Sequence, residues 1–587
     1  MENLMPALPE DDSNIPPEIL AQIGGAVRIG ITFTLRNIFD EKLNLKDVVE
    51  IITPLNRSEA IALCAEWNRW NTWVFFHHGT WKPAKKDQQK VLDDLVPPHA
   101  QRRATAVFED EDFISPFSEI SVLALIGLLC RYATTTGGES ADTRHCQRAL
   151  FRALLALQES IYPDNFFDLT IPEQFPFAVR VILANVTPQN FWSYDMGRLH
   201  ALLTVPEFAD GLGGMTVREW FLKRLSVDGN DYECVANTFL GSAFYWADYS
   251  KLSQQAPALY GLMMPLLQLS TTTPEDVAHG LSNTQPQAEP THLSDAVSHS
   301  NVLLVRPMIR LGEKLICTSN RNLFNKLHRG LPYLCLEART NPGEDKTRPR
   351  DEFGYIFEAY VVWLMKQWIT GADVRLATNY WIPQPGGPAE RDIVAIRGDV
   401  GCVFEVKATV PAMKIRQLGN LEDLVALHQK AAQQAYSAAE ALISGHAFED
   451  KELTRPLPKL KRVVPCAVTY EFLAVRWPYS DLFEDALKEA VGKPLFSGEH
   501  GILPLQMLDA EQVEIWDDLF KLPAEIDRLF EALERRASNQ FKRYRALPED
   551  TQNSFRADYD QNPGIVRKMV DSAEKSSRQR LKEISGK

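Results

Sequence analysis

In the stretch ERDIVAIRGDVGCVFEVKAT (residues 390–409), three charged side chains interrupt two short runs that otherwise have the composition of buried strands: Asp392, Glu405 and Lys407. Charges are costly to remove from water and rarely stand in such runs unless something compensates them. Two carboxylates brought together suit a hard divalent cation such as Mg²⁺, which takes oxygen ligands and retains several waters. An ammonium beside them can hold or deprotonate a water and offset charge on a phosphate. Together the three have the chemistry of metal-dependent phosphodiester hydrolysis. The plain alternative is an internal ion pair, Asp–Lys or Glu–Lys, with no catalysis.

That chemistry needs a scaffold that aims the three groups at one point. Gly398-Asp399 fits the loop of a two-residue hairpin, in which glycine supplies the positive φ. Arg397 then pairs with Val400, and stepping back five residues on each strand sets Asp392 directly opposite Glu405. Opposed side chains share a face with Cβ atoms roughly 4.5–5.5 Å apart, and Lys407, two residues on, shares it too. Ile393, Ala395, Cys402, Phe404 and Val406 fall on the other, core-facing side. Like charges directly opposed repel, and a shared cation removes the conflict. A further carboxylate, Glu358, flanks an apolar helical stripe of Phe357, Tyr360, Val361, Leu364, Met365 and Trp368. It is either another metal ligand, directly or through water, or a surface Glu favoured by the helix dipole.

Around these residues the pattern reads helix (353–369), strand (373–381), strand (392–397), strand (401–408), helix (421–444) and strand (462–473). This order, with Asp392, the Glu405-x-Lys407 element and Glu358, resembles the PD-(D/E)XK nuclease superfamily, the restriction-endonuclease-like fold of helix, three antiparallel strands, helix and strand. The resemblance covers roughly residues 350–475. It implies Asp392, Glu405 and Glu358 as metal ligands, Lys407 as the catalytic lysine, and Mg²⁺ as cofactor with Mn²⁺ as a substitute. It implies cleavage of nucleic acid, DNA more than RNA. Arg391 stands where the family's name-giving Pro would be. The following helix lacks the Gln-x-x-x-Tyr of one large subgroup and offers Gln434, which could orient a carboxylate or touch DNA. His428, on that helix's apolar side, reads as a packed core residue. A non-catalytic nucleic-acid-binding protein on a nuclease-like fold is the alternative, and an effector of anti-phage defence is a biological role that the architecture suggests by analogy.

The whole chain frames these expectations. At 587 residues it is too long for one core, so a multidomain protein is expected. Residues 1–275 read as a mainly α region, a sensor or positioning domain that could also carry a protein partner or an oligomer contact. Residues 276–300, poor in large apolar groups, read as a linker or long loop. Residues 301–480 form the expected nuclease-like α/β domain, opened by a hairpin around Leu311-Gly312-Glu313-Lys314. Residues 481–587 read as a helical C-terminal region with a partly disordered basic tail. Trp67, Trp70, Trp73 and Trp81 cluster near His77 and His78, a pattern that is more often core than ligand site. The net charge of −14 argues against indiscriminate affinity for nucleic acid, although residues 301–350 hold ten basic groups against four acids and residues 535–587 hold thirteen against seven. Eight scattered cysteines without a metal spacing, an acidic start and no membrane-length apolar run point to a cytoplasmic protein. No P-loop, G-x-S-x-G or H-E-x-x-H motif occurs.

Overall fold

The computed structural model describes residues 34–78, 84–109, 117–161, 170–175, 192–242, 247–279, 289–298, 302–334, 340–368, 374–409, 420–470, 479–519, Leu533 and 565–585, apart from a few positions within these ranges and the side chains of 73–78, 192–193 and 239–242. Most of these residues are helical, with two mixed sheets. Among them no helix is long and apolar enough to cross a membrane.

Residues 35–157 supply most of a largely helical core, which Ala247, Val302, Leu303, Ile309, Leu311 and Ile316 help to close. It includes α1 (Arg57–His78), α2 (Glu119–Tyr132) and α3 (Arg144–Glu159). Trp67 stacks on Phe117 at 5.3 Å between ring centroids and Trp70 meets the same ring edge-on at 5.4 Å. Both are therefore packed in or against this core; Trp81 and the side chains of Trp73, His77 and His78 lie outside the described residues. The expected linker is not one at its ends. Val277, Ala278 and Leu293 are buried in this core, on helices Pro274–His279 and Leu293–Ser298, because each helix, though short, turns its few apolar groups inward. Residues 280–288 lie outside the described residues.

Two further cores lie on either face of the larger sheet, and the first of them spans residue 275. From α4 (Trp192–Thr204), α5 (Gly229–Ser242) and the segment between them, Tyr194, Trp220, Phe221 and Tyr232 pack with α6 (Arg348–Trp368) and one face of the larger sheet. The hairpin at Gly312, whose φ is +63°, forms as expected, with β2 (Met308–Leu311) antiparallel to β3 (Lys314–Cys317). It pairs with β1 (Thr271–Thr272) in a separate three-stranded sheet and does not extend the larger one.

The larger sheet runs β4 (Val374–Gln384), β5 (Gly387–Arg397), β6 (Val400–Lys407), β7 (Arg462–Thr469) and β8 (Gln506–Asp509). The first three strands are antiparallel; β6–β7 and β7–β8 are parallel. Thus helix α6, three antiparallel strands, helix α7 (Leu421–Ser444) and strand β7 follow one another, but the sheet gains a strand beyond residue 480. β4 and β5 also run longer than their apolar patterns indicate. Pro383, Pro385 and Pro388 disguise a hairpin whose turn is Pro385-Gly386, with Gln384 paired to Gly387. Helix α7 starts at an Asn420 cap that accepts the Glu422 N–H and ends at Gly445 with φ +77°. Alanines at 431, 432, 435, 438 and 439 lie buried along it, so little side chain separates helix from sheet.

After β8 come α9 (Ala510–Leu519) and α10 (Ile565–Ser585), following α8 (Tyr479–Val491) before it. The end of the basic tail is an ordered helix, not a disordered segment. α10 packs on α4 and α5, with Asn237 donating to Ser577 at 3.0 Å and Arg580 bound to Asp231 at 2.6 Å. Other basic groups also turn inward: Arg321 pairs with Glu119, and the buried Lys326 donates to the Leu269 carbonyl. Arg321, Lys326 and Arg580 are thereby committed within the fold and withdrawn from the apparent phosphate-binding charge. Among the described residues, seven cysteines are buried and none of them forms a disulfide.

Candidate active site at a break in the strand ladder

The turn at Gly398-Asp399 forms as expected, with φ +56° at Gly398 and Arg397 paired to Val400. The register then steps back through Ile396–Gly401, Ala395–Cys402 and Val394–Val403 to Ile393–Phe404. There it stops, one pair short of Asp392 and Glu405. On the other flank the β4–β5 ladder passes from Thr378–Ile393 to Tyr380–Arg391 and skips Asn379 and Asp392. Asp392 therefore has no ladder partner on either side. The direct opposition expected from the sequence is corrected to a fork in the sheet.

Asn379 is the cause. Its φ of +55° is a left-handed conformation that a strand residue seldom adopts and that Asn tolerates better than most. One residue so placed shifts the phase of the pleat. On the turn side of it, Leu376 packs toward α6 and Ala377 toward α7; beyond it, Tyr380 and Ile382 both face α7, where strict alternation would have put neither. Asp392 sits at the pivot. Its Oδ2 accepts the Val406 N–H at 2.7 Å, filling with a side chain the place of a missing backbone bond.

The three motif residues meet at this break. Lys407 Nζ lies 3.1 Å from Asp392 Oδ2 and 3.7 Å from Glu405 Oε2, and it also donates to its neighbour's carbonyl, Val406, at 2.9 Å. Glu405 and Lys407 share the α7 side with Val403, while Cys402, Phe404 and Val406 face α6. Glu405 is 0% exposed; neither of its oxygens makes a well-formed hydrogen bond, and the nearest backbone donor is the Asp392 N–H, which draws its carboxyl down slightly. Burial, reinforced by Asp392, pushes its carboxyl well above the usual range, against the opposing pull of Lys407 and Arg391. Glu358 comes from α6, on the opposite side of the sheet from Glu405. Burial, then Asp392, raise it to about 7, with Lys407 opposing and Glu390 adding a little. Because Asp392 stands at the pivot, it is within electrostatic reach of both sides.

Gln434 lies on α7, the helix that covers the Glu405 side. Its Oε1 is buried without a hydrogen-bond partner. His428 is 0% exposed, edge-on to Phe483 at 5.8 Å, and burial holds its imidazole down to about 3, so it is a neutral core residue. The sequence reading gave Arg391 no role beyond its place at the name-giving Pro position and did not name Tyr380. Arg391, 2% exposed, brings its Nε to 3.7 Å from Glu405 Oε1, and Tyr380, its ladder partner, has a buried hydroxyl without a partner. A buried arginine beside a motif carboxylate was a legible signal; the helical side of Asn379 was not.

Among the described residues, no group of three or more His, Cys, Asp or Glu side chains is clustered closely enough to cage a metal. The donor set at the fork is Asp392 and Glu405, with Glu358 further out. Two buried oxygens without well-formed hydrogen bonds, an all-oxygen set and few protein ligands fit Mg²⁺, which keeps most of its waters, better than a metal that needs a closed protein cage. Comparisons with protein-family models, with curated proteins and with solved structures return no match.

Proposed function

We propose that this chain is a Mg²⁺-dependent nuclease that hydrolyses phosphodiester bonds, with DNA the favoured substrate, on a domain resembling the PD-(D/E)XK superfamily. The observation that carries the reading is the convergence of Asp392, Glu405 and Lys407 where both ladders leave Asp392 unpaired. A purely structural ion pair needs no such break, since Asp and Lys on adjacent strands can meet across an intact ladder.

Asp392 and Glu405 are the residues that would hold the cation, with Glu358 supporting them from α6. When bound, the ion supplies positive charge to the phosphoryl oxygens as negative charge develops on them. Lys407, with its side chain 24% exposed, can turn from Asp392 toward solvent and orient a water or a phosphate oxygen. Val406 N–H fixes the Asp392 carboxylate, so that a change at Lys407 does not release it. Burial of Glu405 excludes water from one side and strengthens each of these interactions. The largely helical core built around residues 35–157 gives the chain a unit that can sense or position a target. By analogy alone with architectures that pair a nuclease-like domain with large additional regions, the role we propose is that of a cytoplasmic anti-phage effector.

The test is cleavage of labelled circular, linear and single-stranded DNA and of RNA, with Mg²⁺ or Mn²⁺ and with chelator, for wild type and Lys407→Ala. Metal-dependent cleavage by wild type, reduced at least 10²-fold in a folded Lys407→Ala variant, is expected. A wild-type protein inert on every substrate defeats the reading. The lack of a three-residue metal cage among the described residues favours one other reading, binding of nucleic acid without cleavage. A mobility shift in chelator with no cleavage in metal selects it.

A further inference from the structure

Buried Arg–carboxylate pairs normally close into a fork of two parallel hydrogen bonds at about 2.7–2.9 Å. The pair at Arg391 does not. Its Nε stays 3.7 Å from Glu405 Oε1 with no hydrogen-bond acceptor, and its Nη1 is tied to the Glu390 carbonyl at 2.6 Å. That tie fixes the guanidinium against its own strand and keeps it from swinging closer. On the far side of the same carboxylate, Lys407 Nζ stands 3.7 Å from Oε2. Glu405 is thus held by charge from two directions and hydrogen-bonded from neither. Arg391 reaches this position because the phase shift at Asn379 and Asp392 turns residue 391 to the α7 side, together with Tyr380; in an unbroken strand it would face α6 with Ile393 and Ala395.

We propose that Arg391 is a positioning residue that holds Glu405 from the side opposite Lys407 and competes with a divalent cation for it, so that Arg391 weakens the site's affinity for metal. This inference rests on the nuclease reading above. The physical reason is the sign of the charges. A fixed guanidinium within 4 Å of a ligand oxygen repels an incoming cation and attracts the carboxylate that the cation needs, in a buried setting where water screens little. Lys407 can withdraw toward solvent as metal enters; Arg391, 2% exposed and tied to Glu390, cannot.

The experiment is titration of the full-length protein with Mn²⁺, followed by calorimetry and by the loss of the free-ion electron paramagnetic resonance signal. The proteins are wild type, Arg391→Met, Arg391→Lys, Arg391→Gln and Asp392→Asn, each checked for folding by circular dichroism. We expect binding that Asp392→Asn abolishes, tightened about tenfold by Arg391→Met and returned to the wild-type value by Arg391→Lys. Because Arg391→Met removes charge and keeps bulk, a structural role alone would not tighten binding; if it fails to fold, Arg391→Gln carries the same comparison. Asp392-dependent Mn²⁺ binding that is unchanged or weaker in folded Arg391→Met overturns the assignment of Arg391 and leaves the nuclease reading standing. No Mn²⁺ binding in any variant, joined to a wild type without nuclease activity, overturns both.

Discussion

Replacing Glu358 by Gln isolates the cost of crowding acids at the fork. Burial and the nearby Asp392 raise this carboxyl from its ordinary 4.5 to about 7. At about 1.4 kcal/mol per pH unit, that gap is worth about 3 kcal/mol as an upper limit; because Glu358 keeps some contact with solvent, about 1–2 kcal/mol is the expected yield. The sign follows from linkage. A group whose folded value lies above its unfolded value contributes stability in full below about pH 4.5 and loses it as pH rises through 7. Wild type should therefore be penalised at pH 8.5 and not at pH 4.5, whereas Gln, neutral throughout, escapes the penalty. We predict that Glu358→Gln raises stability by about 1–2 kcal/mol at pH 8.5 in chelator and leaves it unchanged at pH 4.5. Urea unfolding followed at both pH values reads this, using the transition that includes the five-stranded sheet, since a chain with several cores need not unfold in one step. Mn²⁺ at pH 8.5 should narrow the gap by stabilising the ionised wild type. A difference that is flat between pH 4.5 and 8.5, or a less stable variant at pH 8.5, would refute the placement of Glu358 beside Asp392.

Two other substitutions test the scaffold. Asn379→Val forces a β-branched residue toward φ +55° and should cost about 1–3 kcal/mol in thermal unfolding while weakening Mn²⁺ binding at least tenfold, whereas Asn379→Gly should keep both. Equal Mn²⁺ affinity in a folded Asn379→Val variant would show that the break in the ladder is irrelevant to the site. Gly197→Ala sets a Cβ against the Val566 carbonyl and should loosen α10, with a loss of about 1–3 kcal/mol and faster tryptic release of the C-terminal segment. Unchanged proteolysis would mean that α4 and α10 do not pack as described.

Local patterns carried the parts of this fold that local physics controls. The Gly398-Asp399 turn, the hydrophobic runs of β5 and β6 and the apolar stripe of α6 sit where periodicity and turn chemistry put them, because each depends on neighbours in sequence. The outer halves of β4 and β5 were hidden by prolines, and the linker's helices by their shortness. Packing that spans residue 275 left no local mark, because α4 and α5, though distant in sequence from α6, share its core.

Residue types and spacing alone marked which groups could do chemistry: two acids and a lysine in apolar runs, joined by a turn whose length sets their register. How they meet came from long-range packing. A single left-handed residue on a neighbouring strand breaks both ladders at Asp392, turns Arg391 toward Glu405 and lets an acid on α6 be felt across the sheet. Those outcomes depend on the sum of backbone strain, pairing and burial over three strands and a helix, and no one segment encodes that sum.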